Sequence, residues 1–342
     1  MKHLVTGGSG FVGNLIARRL LERGEEVRIF DIWEDPSRPK DIEYVECDVR
    51  DREGVARAMS GVDVVHHNAA LVPITRSGGK FWEVNAEGSR TVAEAAVAAG
   101  VNAFIYMNSC SIYGMPKDSP IRDDSELCPF EIYGRSKLGG EVAVTEVCSE
   151  AGLPLISIRP RTIIGEGRFG IFKILFEWIQ EGRNVYVIGR GDNPFQFLHA
   201  HDLMDAYMLA YEAEKPGMYN VGTDRYGTLR EMLENLIVHA GTDSKVKSLP
   251  AWPAVTALRL LDRVRLSPLS AWHYRTYHIP YHFDVSKLLE LGWKPKYSND
   301  EMLRESYSWF CEHREQLAAK ADASAHRRGA KEGFLGLIKK LS

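Results

Sequence analysis

A glycine-rich turn between an apolar run and an amphipathic segment restricts this chain's fold more than any other feature. The turn is Gly7-Gly8-Ser9-Gly10-Phe11-Val12-Gly13; the run before it spans 3–6 and helical spacing continues over 11–23. Glycines at 7, 10 and 13 let backbone N–H groups come close to a pyrophosphate at the start of a helix. Glycines also make plain tight turns, so the cluster gains weight only from a second signal at the right spacing. Asp31 is that signal: it ends the next apolar run, roughly 20 residues on, where a carboxylate accepts both ribose hydroxyls of a dinucleotide and repels a 2′-phosphate. Loop and acid together read as an NAD site rather than an NADP site.

The same alternation continues along the first half. Nearly continuous apolar runs at 3–6, 26–30, 42–46, 62–66, 103–107 and 155–159 suit parallel strands covered on both faces. Between them, 11–23, 55–59, 88–99 and 133–150 carry helical spacing, with glycine stops at Gly24 and Gly100. The expected class is α/β: a Rossmann-type doubly wound parallel sheet with a smaller C-terminal α/β lobe for substrate. At 342 residues the chain exceeds one ordinary core, which stops growing near ~250 residues. We assign 1–165 to the dinucleotide domain and 166–312 mainly to the lobe, some segments returning to the sheet, and 313–342 to a tail. The lobe shows helical patterns at 171–181, 203–214, 228–239, 286–291 and 299–312 and a strand at 185–188.

Bulk properties exclude other classes. A net charge of −3 with both signs interspersed offers no basic face for nucleic acid. Five cysteines form no CxxC pair and no metal-ligand spacing, so no metal is expected and a reducing, cytoplasmic setting fits. His66-His67 and His199 with His201 lack a matching carboxylate pattern and read as packing or hydrogen-bonding residues. No run approaches the ~18 apolar residues of a membrane span.

Tyr133 and Lys137 stand four apart in Tyr-Gly-Arg-Ser-Lys and so share a helix face. A phenol near pKa 10 acts as a base at neutral pH only when cations stabilise its phenolate. Lys137 is one such cation and an oxidised nicotinamide is another. Ser109 comes just after the fifth run in Asn-Ser-Cys-Ser-Ile-Tyr-Gly, at the sheet edge where doubly wound folds bind ligands, and Ser111 lies in the same turn. Tyr133, Lys137, Ser109 and Ser111 are the candidate catalytic residues. Asp48 and Val49 after the third run, and Asn68, Ala69 and Ala70 after the fourth, are candidates to line the cofactor.

These motifs resemble the extended short-chain dehydrogenase/reductase superfamily, in its NAD-dependent epimerase/dehydratase branch. The resemblance rests on TGGSGFVG at 6–13, Asp31, CDV at 47–49, HNAA at 67–70, VNAEGSRTV at 84–92, NSCSIYG at 108–114, YGRSK at 133–137, RPRTIIG at 159–165 and FDVSKLLELGWKPKYS at 283–298. It implies that Tyr133 is the base, that Lys137 also holds the nicotinamide ribose, and that Ser109 assists proton transfer. It also implies that Asn85 and Pro160 lie at the cofactor pocket, and a homodimer built on the helix of Tyr133. The branch's dehydratases carry an Asp-Glu pair after the serine, where this chain has Cys110-Ser111, which disfavours dehydration. The epimerases' Asn and Arg for the sugar diphosphate correspond to Thr162 and Phe195 here. Arg161, Thr162 and Arg168 are the substrate-side candidates, with Arg190 as a further source of charge.

Two apolar features bear on the substrate. The stretch 252–271 is rich in large apolar residues, and Phe334, Leu337, Ile338 and Leu341 share one helical face of the tail. Both suit peripheral contact with a membrane that presents a lipid-linked sugar; equally, the stretch suits core and the tail suits docking on protein. The leading expectation is a sugar epimerase, acting at C4 of a nucleotide- or lipid-diphosphate hexose. A dehydrogenase of an apolar alcohol or ketone, hydroxysteroid-dehydrogenase-like, is the second. A non-catalytic NAD-binding protein is the third.

Overall fold

The computed structural model describes residues 1–73, 77–263, 267 and 269–314. Its strands are β1 (Lys2–Thr6), β2 (Glu26–Asp31), β3 (Glu43–Glu46), β4 (Val64–His67), β5 (Ala103–Met107), β6 (Leu155–Pro160), β7 (Ile163–Ile164), β8 (Val185–Ile188), β9 (Leu198–His199), β10 (Gly217–Val221) and β11 (Val246–Leu249). Seven form one parallel sheet in the order β10-β6-β5-β4-β1-β2-β3. The order reverses beside β1, where β2 lies on one side and β4 on the other, and doubly wound sheets bind ligands in the crevice beyond that switch.

Side-chain alternation explains why both faces are covered. Leu4, Phe30 and Phe104 face one layer, with Val55 and Ala58 of α2 (Arg52–Ala58); Val5, Ile29 and Ile105 face the other, with Ile16 and Leu20 of α1 (Phe11–Glu22). The first layer continues through α3 (Lys80–Trp82), a π-helical turn at Glu83–Glu87, α4 (Gly88–Ala99) and α5 (Ile132–Ala151). The second continues through the helix Ala200–Glu212, which supplies Leu203 and Tyr207.

Caps set several boundaries. Asp51 accepts the Gly54 N–H and starts α2 three residues before the apolar spacing predicts. Thr228 with Glu231, and Ser298 with Glu301, form capping boxes on the helices Leu229–Ala240 and Asn299–Glu312. The expected helix at 203–214 instead runs Ala200–Glu212, because the His199 ring accepts the His201 N–H and caps it. His66 and His67 are buried in hydrogen bonds to His3, Tyr207, Thr6 and Ser89. Strand ends differ from expectation by a residue or two, as in β4.

One hydrophobic cluster runs from Val5 and Ile16 through Phe176 and Tyr207 to Tyr307 and Phe310. β10, drawn from the second half of the chain, completes the sheet against β6. Part of 252–271 does not meet the reading of it as core: the helix Ala251–Arg263 has no buried residue, and Trp252 is 80% exposed. The tail residues 315–342, with their expected amphipathic face, lie outside the described residues. Among the described residues, no helix is long and apolar enough to cross a membrane.

Candidate active site

The glycine turn is built for close approach. Gly7 has φ +65°, and a Cβ there would lie 2.8 Å from Ala69 backbone atoms; a Cβ at Gly13 would lie 2.2 Å from the Gly7 carbonyl oxygen. Only glycine fits either place. Gly10 caps α1 without a side-chain partner, so the opening N–H groups of the helix at Phe11, Val12 and Gly13 have no internal acceptor and suit a phosphate. Asp31 ends β2 beside this turn; its carboxylate accepts N–H bonds from Ser9 (3.1 Å) and Ile32 (2.8 Å). Burial raises its pKa and those bonds oppose the rise. A desolvated carboxylate with unused lone pairs fits two ribose hydroxyls.

Other expected lining residues occupy varied roles. Asn68 and Ala69 both donate their backbone N–H to the Thr6 hydroxyl at 3.1 Å, which holds the strand-end loop, including Ala70, against the glycine turn. Asp48 forms a bidentate pair with Arg50, whose charge holds the carboxyl below its ordinary value. Val49 is buried against Gly88. Asn85 is fully buried in the π-helical turn and joins three segments: it accepts the Leu71 N–H (2.7 Å) and donates to the Leu71 carbonyl and the Ser136 hydroxyl, both at 3.0 Å. Its hydrogen-bonding capacity is used within the protein, so it positions α5 against the loop after β4. Pro160 closes β6 opposite Val221 of β10.

Tyr133 and Lys137 project from the first two turns of α5. Lys137 is 2% exposed; its Nζ donates to the Met107 carbonyl (2.7 Å) and lies 4.6 Å over the Tyr106 ring. Burial lowers its pKa to about 7 against the opposing charge of Glu141. Tyr133 packs edge-on against Phe81, and burial pushes its phenol up to about 12, opposed by a hydrogen bond with Ser109 and by the Arg168 charge. Ser109 caps a 3-10 turn, Cys110–Tyr113, by accepting the Ser111 N–H at 3.2 Å, which leaves its own proton to donate. Tyr133, Ser109, Lys137 and Arg168 thus converge at the carboxyl edge of β5. Arg168 lies 5.0 Å over the Phe11 ring and, among the described residues, has no carboxylate partner. Thr162 is half-buried beside Tyr277, and Arg161 is buried one residue before it. Arg190 stands apart, paired with Asp192 on the surface.

Two features are invisible to sequence patterns. Glu141 and Arg159, 4% and 3% exposed, form a buried bidentate ion pair, with Asn108 and Ser157 donating to the carboxylate and Arg159 donating to the Tyr113 hydroxyl at 2.7 Å. The network ties α5 to β5 and β6 directly beneath Lys137. Its only signal is Glu141 standing four residues after Lys137 on one helix face. The second is Glu131, which precedes α5; burial raises its pKa to about 7, opposed by a backbone hydrogen bond from Trp272.

A glycine turn at a helix start, an acid at the end of β2 and a Tyr-Lys-Ser cluster at the carboxyl edge of β5 define a dinucleotide-dependent enzyme. The chain belongs to the NAD-dependent epimerase/dehydratase family, whose model matches residues 3–222, and its cofactor is NAD. It is 39% identical over 336 residues to the protein y4nG of Sinorhizobium fredii, covering 98% of this chain and 85% of that one. A 3-beta-hydroxysteroid dehydrogenase of Mycolicibacterium neoaurum is 34% identical over 230 residues, 63% of this chain and 62% of that one. The structure of Thermus thermophilus UDP-glucose 4-epimerase in complex with NAD superposes with TM-score 0.70 at 26% identity, covering 91% of this chain and 99% of that one.

Proposed function

We propose that the protein is a sugar epimerase, inverting C4 of a hexose carried on a nucleotide or lipid diphosphate. The observation that carries the reading is the convergence of Tyr133, Ser109, Lys137 and Arg168 at one strand end, with the Arg168 charge acting on the Tyr133 phenol. Likeness over nearly the full length to a UDP-glucose 4-epimerase supports it, whereas the steroid dehydrogenase relative matches about two thirds of the chain.

Residues 7–13 would hold the pyrophosphate, Asp31 the adenosine ribose and Lys137 the nicotinamide ribose, and NAD supplies the hydride acceptor and donor. Tyr133 takes the proton of the sugar hydroxyl as the carbon is oxidised and returns it after the keto sugar has turned over. Lys137 and Tyr133 stand four residues apart on α5, and in this reading they share the charge of the proton transfer. A buried ammonium is unfavourable alone and a buried phenolate is too, but each stabilises the other. Ser109 donates to the reacting oxygen and fixes its position. Where a dehydratase needs an acid and a base, this chain has Cys110 and Ser111, both buried, with the thiol's pKa raised by burial. Neither serves as a carboxyl group does, and elimination of water is disfavoured.

Two assembly features belong to the reading. The outer face of α4 and α5 carries a cavity of about 900 Å³ bordered by Trp82, Val142 and Gly139, and Trp82 and Val142 are about half exposed. A second copy of the chain would cover it. The exposed Trp252 and Leu260 of the helix Ala251–Arg263 would contact a membrane surface. That apolar face also supports the second reading, a dehydrogenase of an apolar alcohol or ketone.

The deciding experiment releases and identifies nucleotide from purified protein, then incubates the protein with UDP-hexoses while monitoring absorbance of reduced nicotinamide. Retained NAD with a C4-inverted product and no net absorbance change is expected. Steady NADH production on an added alcohol would replace this reading with the dehydrogenase.

A further inference from the structure

Arg161 is 1% exposed, yet both terminal nitrogens of its guanidinium lack a hydrogen-bond partner. Its Nε donates to the Gln196 carbonyl at 3.0 Å. A buried charge is strongly disfavoured unless it is paired. Arg159, two residues earlier on β6 and equally buried, shows the usual solution in its bidentate pair with Glu141.

The surroundings of Arg161 supply no such partner among the described residues. Its Cζ lies 4.2 Å from the Tyr281 ring, 5.0 Å from Phe195 and 5.6 Å from Phe283, an aromatic cage that attracts a cation without neutralising it. The Gln196 amide is neutral and already bonded to Thr223 and Phe283. The polar side chain in contact with the guanidinium is the Cys110 thiol, a weak acceptor whose pKa burial raises, so it stays uncharged and does not neutralise the cation. Two more buried donors are also unpaired: the Tyr277 hydroxyl, on a ring 4.7 Å from Phe195, and the hydroxyl of Ser111, the residue after Cys110. The Tyr281 hydroxyl donates to the Cys110 carbonyl at 2.9 Å, and Cys110 is the residue after Ser109. The unpaired cation therefore sits beside the end of the site where the proton moves.

We propose that Arg161, with Tyr277 and Ser111, receives a carboxylate carried on the sugar ring itself, so that the substrate is a hexuronate. This deepens the epimerase reading and rests on it. A guanidinium fork matches the two coplanar oxygens of a carboxylate. The diphosphate handle belongs to the opposite end of the substrate from the reacting carbon, so the cation beside the reacting end is left for a charged group on the ring itself.

The test uses the NAD-loaded protein and titration calorimetry with UDP-glucuronate, UDP-glucose and UDP, then product analysis. The acid is expected to bind at least about 30-fold tighter than the neutral hexose, the lower end of what a buried charge-assisted pair contributes. Arg161→Met and Arg161→Lys should erase most of that preference while UDP affinity, retained NAD and melting temperature hold. Equal binding of acid and hexose by the unaltered protein overturns the carboxylate assignment and leaves the epimerase reading intact. An equal loss of UDP affinity in Arg161→Met assigns the cation to the diphosphate instead and also overturns it. Acid-selective binding without C4 inversion sinks the epimerase reading alone, and no binding of either sugar sinks both.

Discussion

Lys137 donates a 2.7 Å hydrogen bond to the carbonyl of Met107, the last residue of β5, and so reaches from α5 to the strand that delivers Ser109. The strand end, the ammonium and the helix bearing Tyr133 are thereby fixed as one unit. Removing the phenolic proton carrier while leaving this unit intact separates chemistry from binding. Tyr133→Phe should lower kcat about 10²- to 10⁴-fold and leave the NAD content of purified protein unchanged. Lys137→Met should lower both, as read by steady-state assay and by nucleotide released on denaturation.

Asp31 sets the choice of cofactor. With its carboxylate removed, the ribose hydroxyls lose a charged acceptor and a 2′-phosphate loses its repulsion. Asp31→Ala should weaken NAD by about 10- to 100-fold and narrow the gap to NADP, measured by competitive binding to protein stripped of nucleotide.

Glu131 gives stability a pH dependence of known sign. Its folded pKa, about 7, lies above its ordinary value, so between those values the folded chain holds a proton that the unfolded chain has lost. Stability on its account is highest at acid pH and declines as pH rises through about 7. Glu131→Gln should therefore melt higher, relative to the parent, at pH 8 than at pH 5; an equal offset at both would contradict the assignment.

The sheet, the glycine turn, Asp31 and the Tyr-Lys pair are legible in the sequence because each is a local pattern: apolar runs, a spacing of four, an acid at a strand end. The features that stay hidden depend on contacts distant in sequence. β10 reads poorly as a strand because Asn220 interrupts its apolar run, yet Asn220 is buried and accepts the Tyr113 hydroxyl at 2.8 Å. The bonds of the Asn85 amide to Leu71 and Ser136 join segments 14 and 51 residues away and leave no local pattern. Nor does a sequence show that Arg159 has a carboxylate partner and Arg161 none.

That contrast predicts unequal costs. Arg159→Met strands the buried Glu141 carboxylate and should destabilise the fold by about 3–5 kcal/mol in urea titration, with Arg159→Met/Glu141→Leu recovering much of the loss. Arg161→Met removes an unpaired cation and should cost far less.

The face of Trp82 and Val142 makes a simple prediction about assembly. Val142→Glu places a charge in the middle of it and should convert a dimer into monomers in sedimentation analysis. A parent protein that is already monomeric would refute the dimer. If the helix Ala251–Arg263 contacts bilayers, Trp252→Ala should reduce co-sedimentation with anionic vesicles.

The late arrival of β10 shapes how the protein is made. Until residue 221 leaves the ribosome, β6 is an open edge whose backbone N–H and C=O groups await a partner, so the nascent sheet can pair with any extended strand within reach. A fragment ending near residue 165 would keep its whole glycine turn and still be a poor carrier of nucleotide, because it would clump, and chaperone demand should fall only after the second half of the chain is synthesised.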